Sequence, residues 1–256
     1  MACHYGEALL IFMPRFFVEP DAICDGFAIV SGGDAYHIAR SLRMAVGDEI
    51  TLADGSGKEY ICRLTKIRDE ECTAEVISEE ISHSESPAEI TLYMAYPKSD
   101  KLELIIQKSV ELGAARIVPF ESSRCIKRPK AEKIEKQTAR LARIAEEAAK
   151  QCGRAKLPTV AEPISFKKML EEAVTAELSL FCYEGCGTRS LKEVLGTGTA
   201  PSSISIIVGS EGGFSPEEAE AAAAAKLTPV NLGPRILRCE TAPMYALSAI
   251  SYQLEL

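Results

Sequence analysis

A chain of 256 residues has room for one large domain or two small ones. Its 46% apolar content supports a full core, and no apolar run approaches the length of a membrane-spanning helix. The net charge of -8 argues against a uniformly basic surface, but from Arg124 to Lys156 eleven Lys and Arg stand against four Glu, so that stretch carries +7 and the remainder -15. A local basic stripe is enough to hold phosphates, because such contacts act over short range in salt. Nine cysteines lack paired Cys-x-x-Cys spacing. They read as reduced, mostly buried thiols, with no metal site expected. Leu9 to Met13 is too short for a secretory core and no basic start precedes it, so the expectation is a cytoplasmic chain.

Residues from about 11 to 80 read as mostly strand. Glu49 to Ala53 and Glu59 to Lys66 alternate around Asp54-Gly55-Ser56-Gly57, a hairpin turn. Cys72 to Ile77 is a further strand, and one helix is predicted near Ala35 to Met44. This is a small barrel-like β domain. The polar stretch Glu79 to Glu89, with Ser82, Ser84, Ser86 and Pro87, reads as a linker. The division is therefore 1–80, a linker over 81–89, and 90–256.

Strand and helix then alternate. Ile90 to Ala95, Arg116 to Phe120, Leu178 to Tyr183 and Ile204 to Val208 are strands; Lys101 to Leu112, Ala131 to Gln151 and Phe166 to Ala173 are helices. The pattern argues an α/β domain with a mainly parallel sheet covered on both faces.

The C-terminal fifth carries the chemistry. Gly209-Ser210-Glu211-Gly212-Gly213-Phe214 follows a buried strand and leads into a helix whose cap is Ser215, with Pro216 at the first helical position and Glu218 three residues after the cap. A second strand and loop, Leu232-Gly233-Pro234-Arg235-Ile236-Leu237-Arg238-Cys239-Glu240-Thr241-Ala242, leads into the last helix. Glycine lets backbone lie close to a flat ligand. Glu211, Glu217 and Glu218 disfavour a phosphate there and leave a cationic or neutral ligand open, although the last two also suit plain helix capping.

These two loops resemble those of the RsmE family, SPOUT-class methyltransferases acting on N3 of a uridine in bacterial 16S rRNA. The resemblance covers nearly the whole chain. Arg15-Phe16-Phe17-Val18, His37-Ile38-Ala39-Arg40-Ser41-Leu42-Arg43-Met44 and Val46-Gly47-Asp48 look like the family's first domain. Lys98-Ser99-Asp100-Lys101-Leu102-Glu103, Gln107-Lys108, Glu111-Leu112-Gly113 and Glu147-Ala148-Ala149-Lys150-Gln151-Cys152-Gly153-Arg154 are similar to its later signatures. The chain departs from the usual pattern at Ser210, where the family has proline, and at Pro243; residues 1–12 extend beyond the usual start.

The resemblance implies a PUA-like β-barrel domain before a SPOUT domain with a trefoil knot, a homodimer, S-adenosylmethionine as cofactor, and 16S rRNA or the small ribosomal subunit as partner. It implies cofactor contacts at Tyr183, Glu184, Gly185, Gly209, Glu211, Gly213, Leu232, Gly233, Ile236, Leu237, Arg238, Thr241 and Ala242. Methylating N3 of uracil develops charge on its oxygens, so a fixed cation is wanted. Arg238 is the first candidate and Arg15 the second, with a local salt bridge as the competing role for Arg238. Glu240 either orients Arg238 or accepts the proton, and Thr241 reads as the cap of the last helix. RNA contacts are expected at Arg15, His37, Arg40, Arg43, Arg124, Lys127, Arg128, Lys130 and Arg154. For Lys133, Lys136, Arg140 and Arg143 a solvated helix face fits equally. A Rossmann-type enzyme would put its glycine loop after the first strand, which this chain does not. A non-catalytic RNA-binding ribosome-assembly factor is the other reading.

Overall fold

Alternation of apolar and polar residues builds the first sheet, and continuous apolar runs build the second. A computed structural model describes residues 13–98, 101–126, 128, 131–196 and 199–256. These fall into two units, Met1–Ser84 with Gly153–Lys156, and Glu85–Cys152 with Leu157–Leu256. The inclusion of Gly153–Lys156 in the first unit was not foreseen from sequence.

In the first unit the strands are β1 (Arg15–Phe17), β2 (Ile23–Cys24), β3 (Phe27–Ser31), β4 (Glu49–Ala53), β5 (Lys58–Ile67) and β6 (Glu71–Ile81). They form one sheet in the order β1-β4-β5-β6-β3-β2, antiparallel except for β1 on β4. Ala28 and Val30 on β3, and Cys72 and Ala74 on β6, point inward beside Ile50, Leu52 and Leu64. Among the described residues one short α-helix lies over this core, α1 (Gly32–Tyr36), running on as a wide π turn over His37–Ser41. It starts and ends about three residues before the expected Ala35 to Met44. A sheet with so little cover buries one face by curling, and register shifts at Ile61/Cys62 and Leu64/Lys66 help it bend. In the expected hairpin, Asp54 Oδ1 accepts from Ser56 N at 2.8 Å and from Ser56 Oγ at 2.7 Å. A second hairpin went unread: Asp25 and Gly26, both at positive φ, join β2 to β3.

The second unit contains β7 (Glu89–Ala95), α2 (Lys101–Glu111), β8 (Arg116–Glu121), α3 (Ile134–Cys152), β9 (Thr159–Val160), β10 (Ile164–Ser165) and α4 (Phe166–Ala173). It continues with β11 (Leu178–Cys182), β12 (Arg189–Ser190), α5 (Leu191–Leu195), β13 (Ser203–Val208), α6 (Pro216–Ala224), β14 (Thr228–Asn231) and α7 (Thr241–Glu255). The sheet order is β10-β8-β7-β13-β11-β14-β12, with β9 on β8, and every pairing is parallel. Ile204 to Val208 are all buried, so both faces of β13 are covered. Each buried Val, Leu or Ile contributes about 1.5–3 kcal/mol. Among the described residues no helix is long and apolar enough to cross a membrane.

The strand order has one consequence for function. β7, β13, β11 and β14 are neighbours and run the same way, so the loops leaving their carboxyl ends gather at one edge. Ligands of parallel sheets collect there.

Candidate active site

Gly209 to Phe214 leaves β13 as a tight turn. Gly213 N donates to Ser210 O at 2.9 Å, and Gly213 sits at φ +62°. A Cβ on Gly209 would lie 3.1 Å from the Gly213 backbone, and one on Gly212 would lie 3.0 Å from Arg124 Cβ. The double glycine is thus demanded by the turn itself. Ser210, where a proline was expected, is buried and its hydroxyl donates to Arg124 O at 3.4 Å. The Arg124 guanidinium donates to Gly212 O at 3.0 Å. Arg124, read from sequence as an RNA contact, therefore straps the glycine turn.

The helix after the turn is capped as its sequence demands. Ser215 Oγ accepts from Glu218 N at 3.2 Å, and Glu218 Oε2 accepts from Ser215 N at 2.9 Å. Glu218 also accepts from Ser123 N at 2.7 Å, so this buried carboxylate is structural. Phe214 anchors the turn from below, its ring centroid 4.3 Å from that of Phe181 and 6.3 Å from that of Phe120.

The gathered loops enclose a cavity of about 310 Å³ lined by Lys101, Cys182, Tyr183, Glu184, Gly209, Ser210, Glu211, Gly213, Phe214, Ile236, Leu237, Arg238 and Cys239. A second cavity of about 180 Å³ shares Cys182, Tyr183, Glu184, Ile236 and Leu237 with it and adds Leu232, Gly233 and their neighbours. The two are lobes of one cleft. Ten of the expected cofactor positions lie on its walls. Gly185 is not on the lining, but the Tyr183 ring occupies the space a Cβ there would need. Thr241 and Ala242 lie behind it, where their N–H groups donate to Arg238 O at 2.9 and 3.0 Å. Thr241 is the first residue of α7 and not its cap: the cap position is Glu240, which forms no side-chain capping bond. The chain turns on the Arg238 carbonyl there, so no side-chain oxygen is required.

The charged groups of the larger lobe are arranged differently from expectation. Lys101, given no role from sequence, stands 3.1 Å from both Glu211 and Glu240. Lys98 N donates to Glu211 at 3.1 Å, and the Cys239 thiol donates to Glu240 at 3.2 Å. Arg238 makes no salt bridge to either glutamate; among the described residues its exposed guanidinium has no partner. A lysine has taken the acids and left the arginine open to the cleft. Burial alone would raise the Glu211 carboxyl, but hydrogen bonds from its own backbone, Lys101 and Lys98 outweigh it and hold it below the usual range. Glu240 behaves likewise: burial is outweighed by the Cys239 thiol, its own N–H and Lys101. The Glu240 and Glu211 carboxylates raise Lys101. Burial, with help from Glu240, pushes the Cys239 thiol up to about 12, and burial does the same to Cys182.

The remaining candidates are scattered. Arg15, on β1, is held by Glu59 at 2.7 Å with only 14% of its side chain exposed. Arg40 is clamped by Asp69 at 2.6 Å, His37 packs edge-on against Phe16, and Arg43 is exposed at positive φ. Arg128 is exposed, 3.9 Å from Glu121. Arg154 is 3% exposed and offers no open face to a phosphate, a correction to its reading as an RNA contact. Lys127 and Lys130 lie outside the described residues.

Residues 84–251 match the family model described as an RNA methyltransferase domain, and 30–77 match the RNA methyltransferase PUA domain. The chain is 35% identical to ribosomal RNA small subunit methyltransferase E of Bacillus subtilis, over 89% of this chain and 90% of that one. It belongs to the ribosomal RNA small subunit methyltransferase E family. Two solved structures place the fold in the same family. The enzyme of that name from Neisseria gonorrhoeae, bound to S-adenosyl methionine, has a TM-score of 0.82 at 34% identity, covering 93% of this chain and 97% of that one. A methyltransferase from Legionella pneumophila, in complex with the cofactor SAM, has a TM-score of 0.84 at 29% identity, covering 94% and 97%. Methyltransferase E relatives thus align across both units, the PUA domain on the first and the methyltransferase domain on the second.

Proposed function

We propose that this chain is an S-adenosylmethionine-dependent methyltransferase acting on N3 of a specific uridine in the 16S rRNA of the small ribosomal subunit. The observation that carries the reading is the cleft: three glycine-bearing loops meet at the carboxyl ends of adjacent parallel strands, with an unpaired arginine at the charged lobe. Membership of the family supports the chemistry, and the cofactor bound in the Neisseria and Legionella structures supports the ligand.

The residues present fit that cofactor. Gly209 and Gly213 line the larger lobe, where backbone without side chains offers a wall that a flat group can approach closely. Ile236 and Leu237 offer apolar contact where the lobes meet. Glu184, Glu211 and Glu240 stand against Lys101 and Arg238 around the larger lobe, a net single negative charge suited to a sulfonium. When bound, S-adenosylmethionine supplies an electrophilic methyl group.

Arg238 is the donor for the charge that develops on the uracil oxygens, since it is permanently charged and unspent. Glu240, kept below the usual carboxylate range, is a weak acceptor for the N3 proton, which favours its place in the ion cluster over a general-base role. Arg15, committed to Glu59, is the weaker of the two arginine candidates. A homodimer, a knotted C-terminal segment and a cytoplasmic site of action belong to the same proposal. The assembly-factor reading is the weaker alternative, because it gives no reason for an intact cleft and a free Arg238.

The test is methyl transfer from labelled S-adenosylmethionine to small subunits lacking their own N3-methyluridine, beside naked 16S rRNA, with nucleoside analysis. N3-methyluridine supports the reading. A different methylated nucleoside overturns the position, and no transfer to either RNA by a protein that binds the cofactor favours the assembly factor.

A further inference from the structure

We propose that Lys101 is a positioning residue that clamps the two ligand loops to each other, bridging Glu211 of the β13 loop and Glu240 of the β14 loop, and so fixes where Arg238 points. The proposal concerns the site assigned above and rests on that reading only for what the clamp positions.

The geometry is specific. Lys101 opens α2, after the strand β7 that neighbours β13. Its ammonium has three N–H donors. It stands 3.1 Å from each carboxylate and 3.8 Å from Cys239 Sγ, so its three donors meet three acceptors on two loops. The Cys239 thiol donates in turn to Glu240, and the backbone N–H of Lys98 donates to Glu211. Apart from Lys101, no cation among the described residues lies in salt-bridge range of either carboxylate. Two carboxylates gathered on one ammonium are near neighbours. Without it they repel, and one takes up a proton or moves away.

The loops need such a tie. The β13 turn is fixed internally by Gly213 N on Ser210 O and from outside by Arg124. Residues 232–240 contain no helix or strand, and Ile236 is 85% exposed. Arg238 lies two residues before Glu240, so anchoring the Glu240 carboxylate restricts the arginine. Lys101 itself stays charged at every working pH and takes no proton from substrate, which makes it a fixed strut.

The experiment compares ligand-free wild type with Lys101→Met and Lys101→Arg by amide hydrogen exchange across a pH series from 4.5 to neutrality. Lys101→Met is expected to speed exchange in 209–213 and 232–240 about tenfold at neutral pH, with β13 and β14 unchanged. The excess should shrink toward acid, where one freed carboxylate protonates, and Lys101→Arg should restore most of the protection. If Lys101→Met does not fold, Glu211→Gln removes one arm and should loosen the same loops by a smaller factor. Unchanged loop exchange in these variants overturns the clamp, as does an increase that is equal at every pH and unrescued by arginine. A second arm titrates S-adenosylmethionine. Lys101→Met should weaken binding about tenfold, and equal affinity in the variant also overturns the proposal. A wild type that binds no cofactor but shows the expected exchange pattern sinks the cofactor assignment and leaves the clamp standing.

Discussion

Two arginines of the first unit and one of the second stand in opposite states. In the first, Glu59 holds Arg15 through Nη2, leaving Nη1 buried without a partner, and Asp69 clamps Arg40. In the second, Lys101 takes up the acids of the cleft and Arg238 is left without a partner. The residue type is the same and so is the supply of nearby carboxylates. What differs is whether another cation has already neutralised them. A guanidinium that stabilises charge on a substrate must not be stabilising charge on the protein.

The sharpest way to break this comparison is to remove the open arginine. Arg238→Ala is expected to lower kcat by about 10²–10³, with cofactor and RNA affinity little changed. Single-turnover kinetics beside equilibrium RNA binding makes the measurement. Equal loss in binding and turnover would make Arg238 an ordinary phosphate contact.

Removing the closed arginine should act on the fold. Arg15→Ala leaves the Glu59 carboxylate, 18% exposed, without its cation, and is expected to cost about 2 kcal/mol. Denaturant unfolding followed through the first unit tests this, and S-adenosylmethionine affinity should stay the same. A large drop in kcat with no loss of stability would instead return Arg15 to the catalytic group.

Much of this was legible in sequence. The helix Phe166–Ala173 and the cap at Ser215 were read as the structure has them, because periodicity and capping are local rules. The glycine loops were read from the residues themselves, and the resemblance supplied the ligand expected there. Illegible were the two-residue strands Thr159–Val160, Ile164–Ser165 and Arg189–Ser190, too short to show a period. Lys101 was missed for a different reason. It sits 138 residues from Cys239, and nothing in either segment marks the other as its partner. The tie from Arg124 to the glycine turn was missed because a basic loop looks the same whether it faces RNA alone or also ties down a turn. The Asp25-Gly26 hairpin was a missed local signal, for the dipeptide alone announces it.

Acid and base should separate the units in a graded way. Glu211 and Glu240 are held below their usual value of 4.5. Their contribution to stability is present above pH 4.5 and is lost as pH falls through the lowered folded values. Lys101, raised above 10.5, contributes fully below that pH and loses its contribution as pH rises through its folded value. The Cys239 thiol, at about 12 in the fold against 9.0, costs stability progressively as pH rises past 9.0. The contribution of this cluster to the stability of the second unit should therefore be flat between pH 4.5 and 9.0 and weaken outside it. Glu240→Gln should blunt the acid limb, and an unaltered limb would show that this cluster does not govern it.

The smallest effect sharpens the comparison from the other side. The Arg40–Asp69 pair has better geometry than the clamp, with contacts of 2.6 to 3.0 Å, yet both side chains are about half exposed. Water screens such a pair and side-chain ordering offsets much of the gain, so Arg40→Ala should change stability by less than about 1 kcal/mol. If Arg40 also faces RNA, the same variant should lower the salt dependence of RNA binding by roughly one counterion. Unfolding curves and a salt titration on one preparation read both. A stability loss comparable to that of Arg15→Ala would mean that pair geometry governs stability here, and that burial does not separate the closed arginines from each other.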